Sequence, residues 1–137
     1  MSCNDISQDD RLYNDIYRGR TMTTQDVANQ QLPLTEATFY ILLSLSSGKK
    51  HGYLIMKDVE HLSDKRVSLG TGTLYGALGR LLDLSWIERV DEEPENGRTR
   101  KAYVLSEQGR RILAAETTRL QSALSAAQVR LSESYIC

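Results

Sequence analysis

The chain has 137 residues, enough for one domain of ordinary size, and this length excludes the larger multidomain enzyme folds. Hydrophobic residues make up 40% and charged residues 26% of the chain, a near-average globular composition that argues against a disordered or fibrous protein. The formal net charge of −1 does not by itself favour a polyanionic partner.

Residues 1–31 are predicted to form an N-terminal arm. A short amphipathic patch at 12–17 indicates one or two helical turns, and the polar residues that follow indicate a linker. The acidic start of the arm lacks the basic and apolar regions of a signal peptide, and the longest apolar run, 39–43, is too short to cross a bilayer. We therefore expect a cytoplasmic protein with no membrane partner.

Two helices are predicted after the arm. Thr35 is a suitable N-cap, and the apolar residues from Ala37 to Leu45 predict a helix that is buried on most faces. A second helix begins at His51 or Gly52.

The third predicted helix, over 71–83, has an apolar stripe and a nearly bare opposite face. Its leucines recur at helical spacing, whereas glycines occupy positions 72, 76 and 79 on the other side. An interior glycine destabilises a helix by about 1 kcal/mol relative to alanine. We infer that something approaches the backbone of this helix closely.

The hydrophobic period then changes to that of a two-stranded antiparallel hairpin. Residues 86–90 and 98–105 are the predicted strands, and Asn96-Gly97 is a strong turn signal between them. An acidic run precedes the turn, and three basic residues follow it, so the two charges are segregated along the hairpin.

The last predicted helix starts after a Ser106 cap and carries apolar positions at alternating spacings of four and three. We call these positions the heptad seam: Leu113, Thr117, Leu120, Leu124, Ala127 and Leu131. A single helix with this pattern needs a partner helix, which predicts dimerisation.

Three helices, a hairpin and a long helix, in this order, predict a mainly α fold with a small β-hairpin (α+β). The order is typical of a winged helix-turn-helix, over 32–105, followed by a coiled-coil-like dimerisation helix over 106–137. In that fold the third helix enters the major groove of DNA and the hairpin contacts the backbone.

Four motifs in order and spacing strongly resemble the PadR family of bacterial transcriptional regulators. They are residues 32–42, His51-Gly52-Tyr53, Gly72-Thr73-Leu74-Tyr75, and 97–103 continuing into Leu105-Ser106. The resemblance covers about residues 32 to 130 and implies a homodimeric winged-helix repressor. The only tryptophan, Trp86, lies outside the last helix, so the drug-binding role of some short family members is not carried over.

The residues expected to contact DNA lie on the third helix and on the basic strand. They are Thr71, Thr73, Tyr75, Arg80, Arg98, Arg100 and Lys101. The expected partners are a second copy of the chain, a pseudo-palindromic operator in double-stranded DNA, and an unidentified small-molecule effector that relieves repression.

An enzymatic function has little support in the sequence. The glycines at 70, 72 and 76 before Asp91 imitate a dinucleotide-binding fingerprint, but the preceding strand is too short and a polar hairpin replaces the crossover helix. His51 and His61 have no placed nucleophile, and Cys3 and Cys137 have no ligand cluster. We therefore predict no enzyme, catalytic residue, cofactor or metal.

The remaining alternative is a winged-helix module that binds proteins and not DNA. In such a module the basic strand would be a solvated face, whereas in a regulator it would contact phosphates.

Overall fold

The computed structural model describes residues 32–92 and 100–134. The elements are α1 (Glu36–Leu45), β1 (Lys50–His51), α2 (Gly52–Leu62), α3 (Thr71–Asp83), β2 (Ile87–Glu92), β3 (Arg100–Leu105) and α4 (Glu107–Ser134). The mainly helical fold and the 71–83 helix agree with prediction. The predictions for the N-terminal arm and the Asn96-Gly97 turn lie outside the described residues.

Two side-chain caps fix where helices begin, as the sequence indicated. The Thr35 hydroxyl accepts a hydrogen bond from the Thr38 backbone N–H at 3.2 Å, which caps α1. The Ser106 hydroxyl accepts from the Gly109 N–H at 3.0 Å and donates to the Ser85 carbonyl at 2.6 Å. The second contact attaches the start of α4 to the residues before β2.

The predicted antiparallel pair is present as β2 and β3, and a third strand that the sequence did not indicate extends the sheet to the order β1-β3-β2. Lys50 pairs with Tyr103 and His51 with Ala102. A strand of two residues has no detectable period-two pattern, which is why the sequence did not indicate it. Its effect is to place the start of α2 beside β3.

The turn between α2 and α3 is held by local hydrogen bonds. Asp64 and Lys65 have left-handed backbone conformations, with φ of 52° and 65°, and the Lys65 N–H donates to the Glu60 carbonyl at 2.7 Å. The Ser63 hydroxyl accepts from the Val67 N–H at 3.0 Å. These contacts end α2 and fix the direction in which α3 leaves it.

One hydrophobic core joins the helices to the sheet. Fully or nearly fully buried residues include Ile41, Leu42, Ile55, Val59, Leu74, Leu78, Leu81, Trp86, Ile87 and Ile112. Burial of these side chains is the main favourable contribution to folding. The first turns of α4 pack so closely on this core that a Cβ atom at Gly109 would lie 1.9 Å from the Trp86 carbonyl oxygen.

α4 changes character along its length. Leu113 and Glu116 are buried, and one carboxylate oxygen of Glu116 accepts from the Leu34 backbone N–H at 2.6 Å while the other pairs with Arg119. Every residue of α4 from Thr117 to 133 is exposed. α4 is thus packed on the core at its start and makes no such packing contacts beyond Glu116.

None of the helices in the described part of the chain is long and apolar enough to span a bilayer.

Candidate nucleic-acid interface

The exposed face of α3 is smooth because glycines form much of it. A Cβ atom at Gly72, Gly76 or Gly79 would meet no neighbouring atom within 4 Å. Packing in the chain therefore does not require glycine at these positions. Thr71, Thr73, Tyr75 and Arg80 are all exposed on the same helix, as expected of contact residues.

The N-terminus of α3 is also open. Gly70 stands at the N-cap position and has no side chain to accept a hydrogen bond from the first turn. Backbone N–H groups at an uncapped helix start are suited to an anion such as a phosphate.

Tyr75 links α3 to the start of α2. A Cβ atom at Gly52 would lie 2.8 Å from the Tyr75 hydroxyl, so glycine at this position makes room for the ring. Tyr75 as a whole is nevertheless 45% exposed. Burial, and to a smaller extent the nearby Tyr75, raise the pKa of Tyr103 on β3.

The wing is the β2–β3 hairpin, and its basic strand carries exposed cationic groups. Arg100 and Lys101 are exposed, and neither side chain forms an ion pair within residues 32–92 and 100–134. The strand register places Asp91 opposite Lys101, but the Asp91 carboxylate is bound by Arg89 at 2.9 Å. Arg98, the third predicted basic contact, lies outside the described residues.

Sequence reasoning missed two residues of this surface. Tyr53, which is 65% exposed, and the neighbouring Leu54, which is 50% exposed, were not among the residues predicted to contact DNA. Helical periodicity could have predicted their exposure. The buried stripe of α2 runs through Ile55 and Val59, and positions 53 and 54 lie off that face. Lys57 places its ammonium group 5.7 Å from the centre of the Tyr53 ring.

A groove of about 760 Å³ lies between the first residues of α2, Tyr75 of α3 and the cations Arg100 and Lys101 of β3. His51 stands at the N-cap position of α2 as the sequence suggested, but its side chain does not cap the helix. Its Nδ1 is 3.4 Å from the Lys101 carbonyl oxygen. A carbonyl oxygen only accepts, so this contact favours a proton on Nδ1.

The predicted dimerisation residues divide into two groups. Leu113 packs in the core of its own chain. The other five, Thr117, Leu120, Leu124, Ala127 and Leu131, are exposed along one side of α4. Leu120 and Leu124 thus present apolar surface that the described part of the chain does not cover.

Within the described ranges, no three His, Cys, Asp or Glu side chains are arranged to hold a metal ion. The dinucleotide-binding alternative also lacks its scaffold, since residues 67–69 form no strand and the strand bearing Asp91 pairs antiparallel.

Comparison with known proteins decides the family. The model of the transcriptional regulator PadR-like family matches residues 41–115, more than half of the chain. The chain belongs to this family. Its members are transcriptional regulators and not enzymes. The prediction from the sequence motifs, a PadR-family regulator, is therefore confirmed.

Individual relatives agree with this family assignment. An uncharacterized 37.1 kDa protein in transposon Tn4556 of Streptomyces fradiae is 37% identical over 81 residues, which are 59% of this chain and 22% of that protein. The chain thus spans about a fifth of the length of this curated relative.

Two solved structures share the fold. A PadR family transcription regulator from Clostridium difficile R20291 has a TM-score of 0.61 at 22% identity, covering 71% of this chain and 99% of that one. Bacillus subtilis PadR, solved in complex with operator DNA, has a TM-score of 0.54 at 23% identity, covering 60% of this chain and 46% of that one.

Proposed function

We propose that this PadR-like regulator is a sequence-specific DNA-binding protein that acts in the cytoplasm as a homodimeric repressor. Two α3 helices enter successive major grooves of a pseudo-palindromic operator, about 34 to 36 Å apart, and block transcription of a nearby gene. An unidentified small molecule relieves repression by shifting the dimer to an arrangement with a different spacing of the α3 helices.

The observation that carries the proposal is the open glycine face of α3 next to the cations of the wing. Three helix glycines that no packing requires, at a cost of about 1 kcal/mol each, are explained if a duplex lies against the helix backbone. Thr71, Thr73 and Arg80 are then positioned for phosphates, sugars or base edges. The Bacillus subtilis structure with operator DNA supports the same use of the fold.

The exposed part of the heptad seam supports the homodimer. Leu120 and Leu124 present apolar surface that a second α4 helix would cover. A dimer also doubles the number of basic wing residues on the duplex. This matters because the chain has a net charge of −1, so its attraction to DNA depends on these local cations and not on its overall charge.

The proposal is tested by fluorescence anisotropy with the duplex upstream of the protein's own gene and a scrambled duplex, at several salt concentrations. We expect tighter binding to the upstream duplex, with two chains per site. Arg100→Ala and Lys101→Ala should weaken binding to both duplexes and reduce the slope of log affinity against log salt by about 0.9 for each phosphate that is no longer neutralised.

A matched control is Arg130→Ala. Arg130 is an exposed arginine about 35 Å along α4 from Glu107, so its loss changes the net charge equally but should leave the salt slope unchanged. If wild type binds neither duplex at low salt, the protein is not a DNA-binding regulator, and the protein-binding winged-helix module takes its place.

Dimerisation is tested separately by light scattering. Leu120→Asp together with Leu124→Asp should convert the dimer to a folded monomer, because both side chains are exposed in the single chain and the change leaves its core intact. A wild-type protein that is already monomeric at micromolar concentration would contradict the heptad-seam dimer.

A further inference from the structure

The groove beside α3 combines apolar and cationic walls. Tyr53, Leu54 and the exposed part of Tyr75 contribute its apolar lining, and Arg100 and Lys101 contribute its cationic lining. A single exposed leucine is common on protein surfaces, but three adjacent large apolar side chains around one open groove indicate a binding surface.

The charges around the groove favour an anion. Arg100 and Lys101 have no ion-pair partner in the part of the chain that the structure describes, and Lys57 adds a third cationic group beside the Tyr53 ring. Two acids on the elements that border the groove are paired with other cations: Asp58 lies 3.8 Å from Lys50, and Asp91 is bound by Arg89. The groove therefore complements a chain of alternating negative and apolar groups.

The sugar–phosphate backbone of DNA has this alternation of phosphates and deoxyribose rings. In a helix-turn-helix the helix before the recognition helix crosses the backbone that borders the major groove. Here the start of α2 is held against β3 by the β1 pairing, so the helix and the wing form the two walls of one groove.

We propose that this groove holds the backbone of one DNA strand, with Arg100 and Lys101 on its phosphates and Tyr53 and Leu54 against its deoxyribose rings. This inference rests on the proposed function and adds two contact residues to it. Because the contacts involve no base edge, Tyr53 and Leu54 contribute affinity without sequence preference. They are also uncharged, so their contribution does not depend on salt.

The test is the anisotropy titration with Tyr53→Ala and Leu54→Ala. Each variant should bind the upstream and the scrambled duplex roughly three- to ten-fold more weakly, as expected from uncovering part of one apolar side chain. The ratio of the two affinities and the salt slope should stay at the wild-type values. Lys101→Ala, in contrast, should reduce the salt slope.

Leu62→Ala is the matched control. Leu62 is at the opposite end of α2, is 40% exposed and is not part of the groove lining, so its substitution should leave both affinities unchanged. If wild type binds DNA but Tyr53→Ala and Leu54→Ala behave like Leu62→Ala, the groove does not hold DNA and the proposed function still stands. If wild type binds no duplex, the proposed function itself fails.

A second measurement does not depend on how the Tyr53 and Leu54 variants fold. Duplexes with a single methylphosphonate lack one backbone charge, and wild type should bind them more weakly at one or two positions beside each half-site. Lys101→Ala should be insensitive to the same substitution at those positions. Equal sensitivity of wild type and Lys101→Ala at every phosphate would overturn the placement of the backbone in this groove.

Discussion

Replacing Gly76 by alanine should stabilise the free protein and weaken its complex with DNA. The position is in the interior of α3, and a Cβ atom there meets no neighbour within 4 Å. Alanine should therefore raise the free energy of unfolding by about 0.5–1 kcal/mol, the usual difference between the two residues in a helix.

The effect on DNA binding has the opposite sign. The new methyl group projects about 1.5 Å from the helix backbone into the space that the proposed duplex occupies. Inserting a methyl group into a close-packed contact costs about 1–3 kcal/mol, which corresponds to an affinity roughly 5- to 150-fold lower.

Urea denaturation and anisotropy titration of the same preparation measure both effects. Gly48→Ala is the contrasting control, because Gly48 also has open space around it but has a φ of 141°, which alanine rarely adopts. That variant should be destabilised by about 1 kcal/mol. If Gly76→Ala is more stable and binds DNA as tightly as wild type, the glycine face does not lie against the duplex.

Three further predictions concern stability. Glu116→Ala should lower the free energy of unfolding by about 1–3 kcal/mol, because it removes the buried carboxylate that accepts from the partly buried N–H of Leu34. Glu116→Gln keeps an acceptor and should lose less, so equal losses in urea denaturation would contradict this role. Gly109→Ala should lower the free energy of unfolding by about 1–3 kcal/mol or more, because the new methyl group meets the Trp86 carbonyl. If the variant unfolds thermally at the same temperature as wild type, the close packing is refuted. The pKa of Tyr103 is raised in the folded state above its ordinary value of 10.0. There is therefore a pH range above 10 in which the unfolded chain has lost the phenol proton and the folded chain still keeps it. Stability should fall as the pH rises above about 10, and less steeply in Tyr103→Phe; identical profiles would exclude this contribution.

Strongly periodic elements were predictable from the sequence. The leucine stripe and the glycine face gave the bounds of α3, 71–83, because both faces of that helix carry a clear pattern. The caps at Thr35 and Ser106 were equally readable, since a hydroxyl residue before a helical run has one common structural use.

Features that depend on tertiary contacts were not predictable in the same way. β1 has two residues and becomes a strand only because β3 lies beside it. The groove arises from three elements that are distant in sequence, so no local pattern indicated it. Leu113 fits the heptad spacing as well as Leu120 does, and only the packing of α4 on the core distinguishes the buried residue from the exposed one.

The continuity of α4 has a mechanical consequence. One unbroken helix of 28 residues, about 42 Å long, holds the core at its first turns and carries the exposed heptad positions beyond them. No hinge separates the two parts, so in the proposed dimer α4 acts as a stiff lever. Tilting it by about 5° moves its far end by roughly 3.7 Å. That distance is close to the rise of about 3.4 Å per base pair. A change of packing too small to alter the fold would thus offset the two half-sites by one base pair.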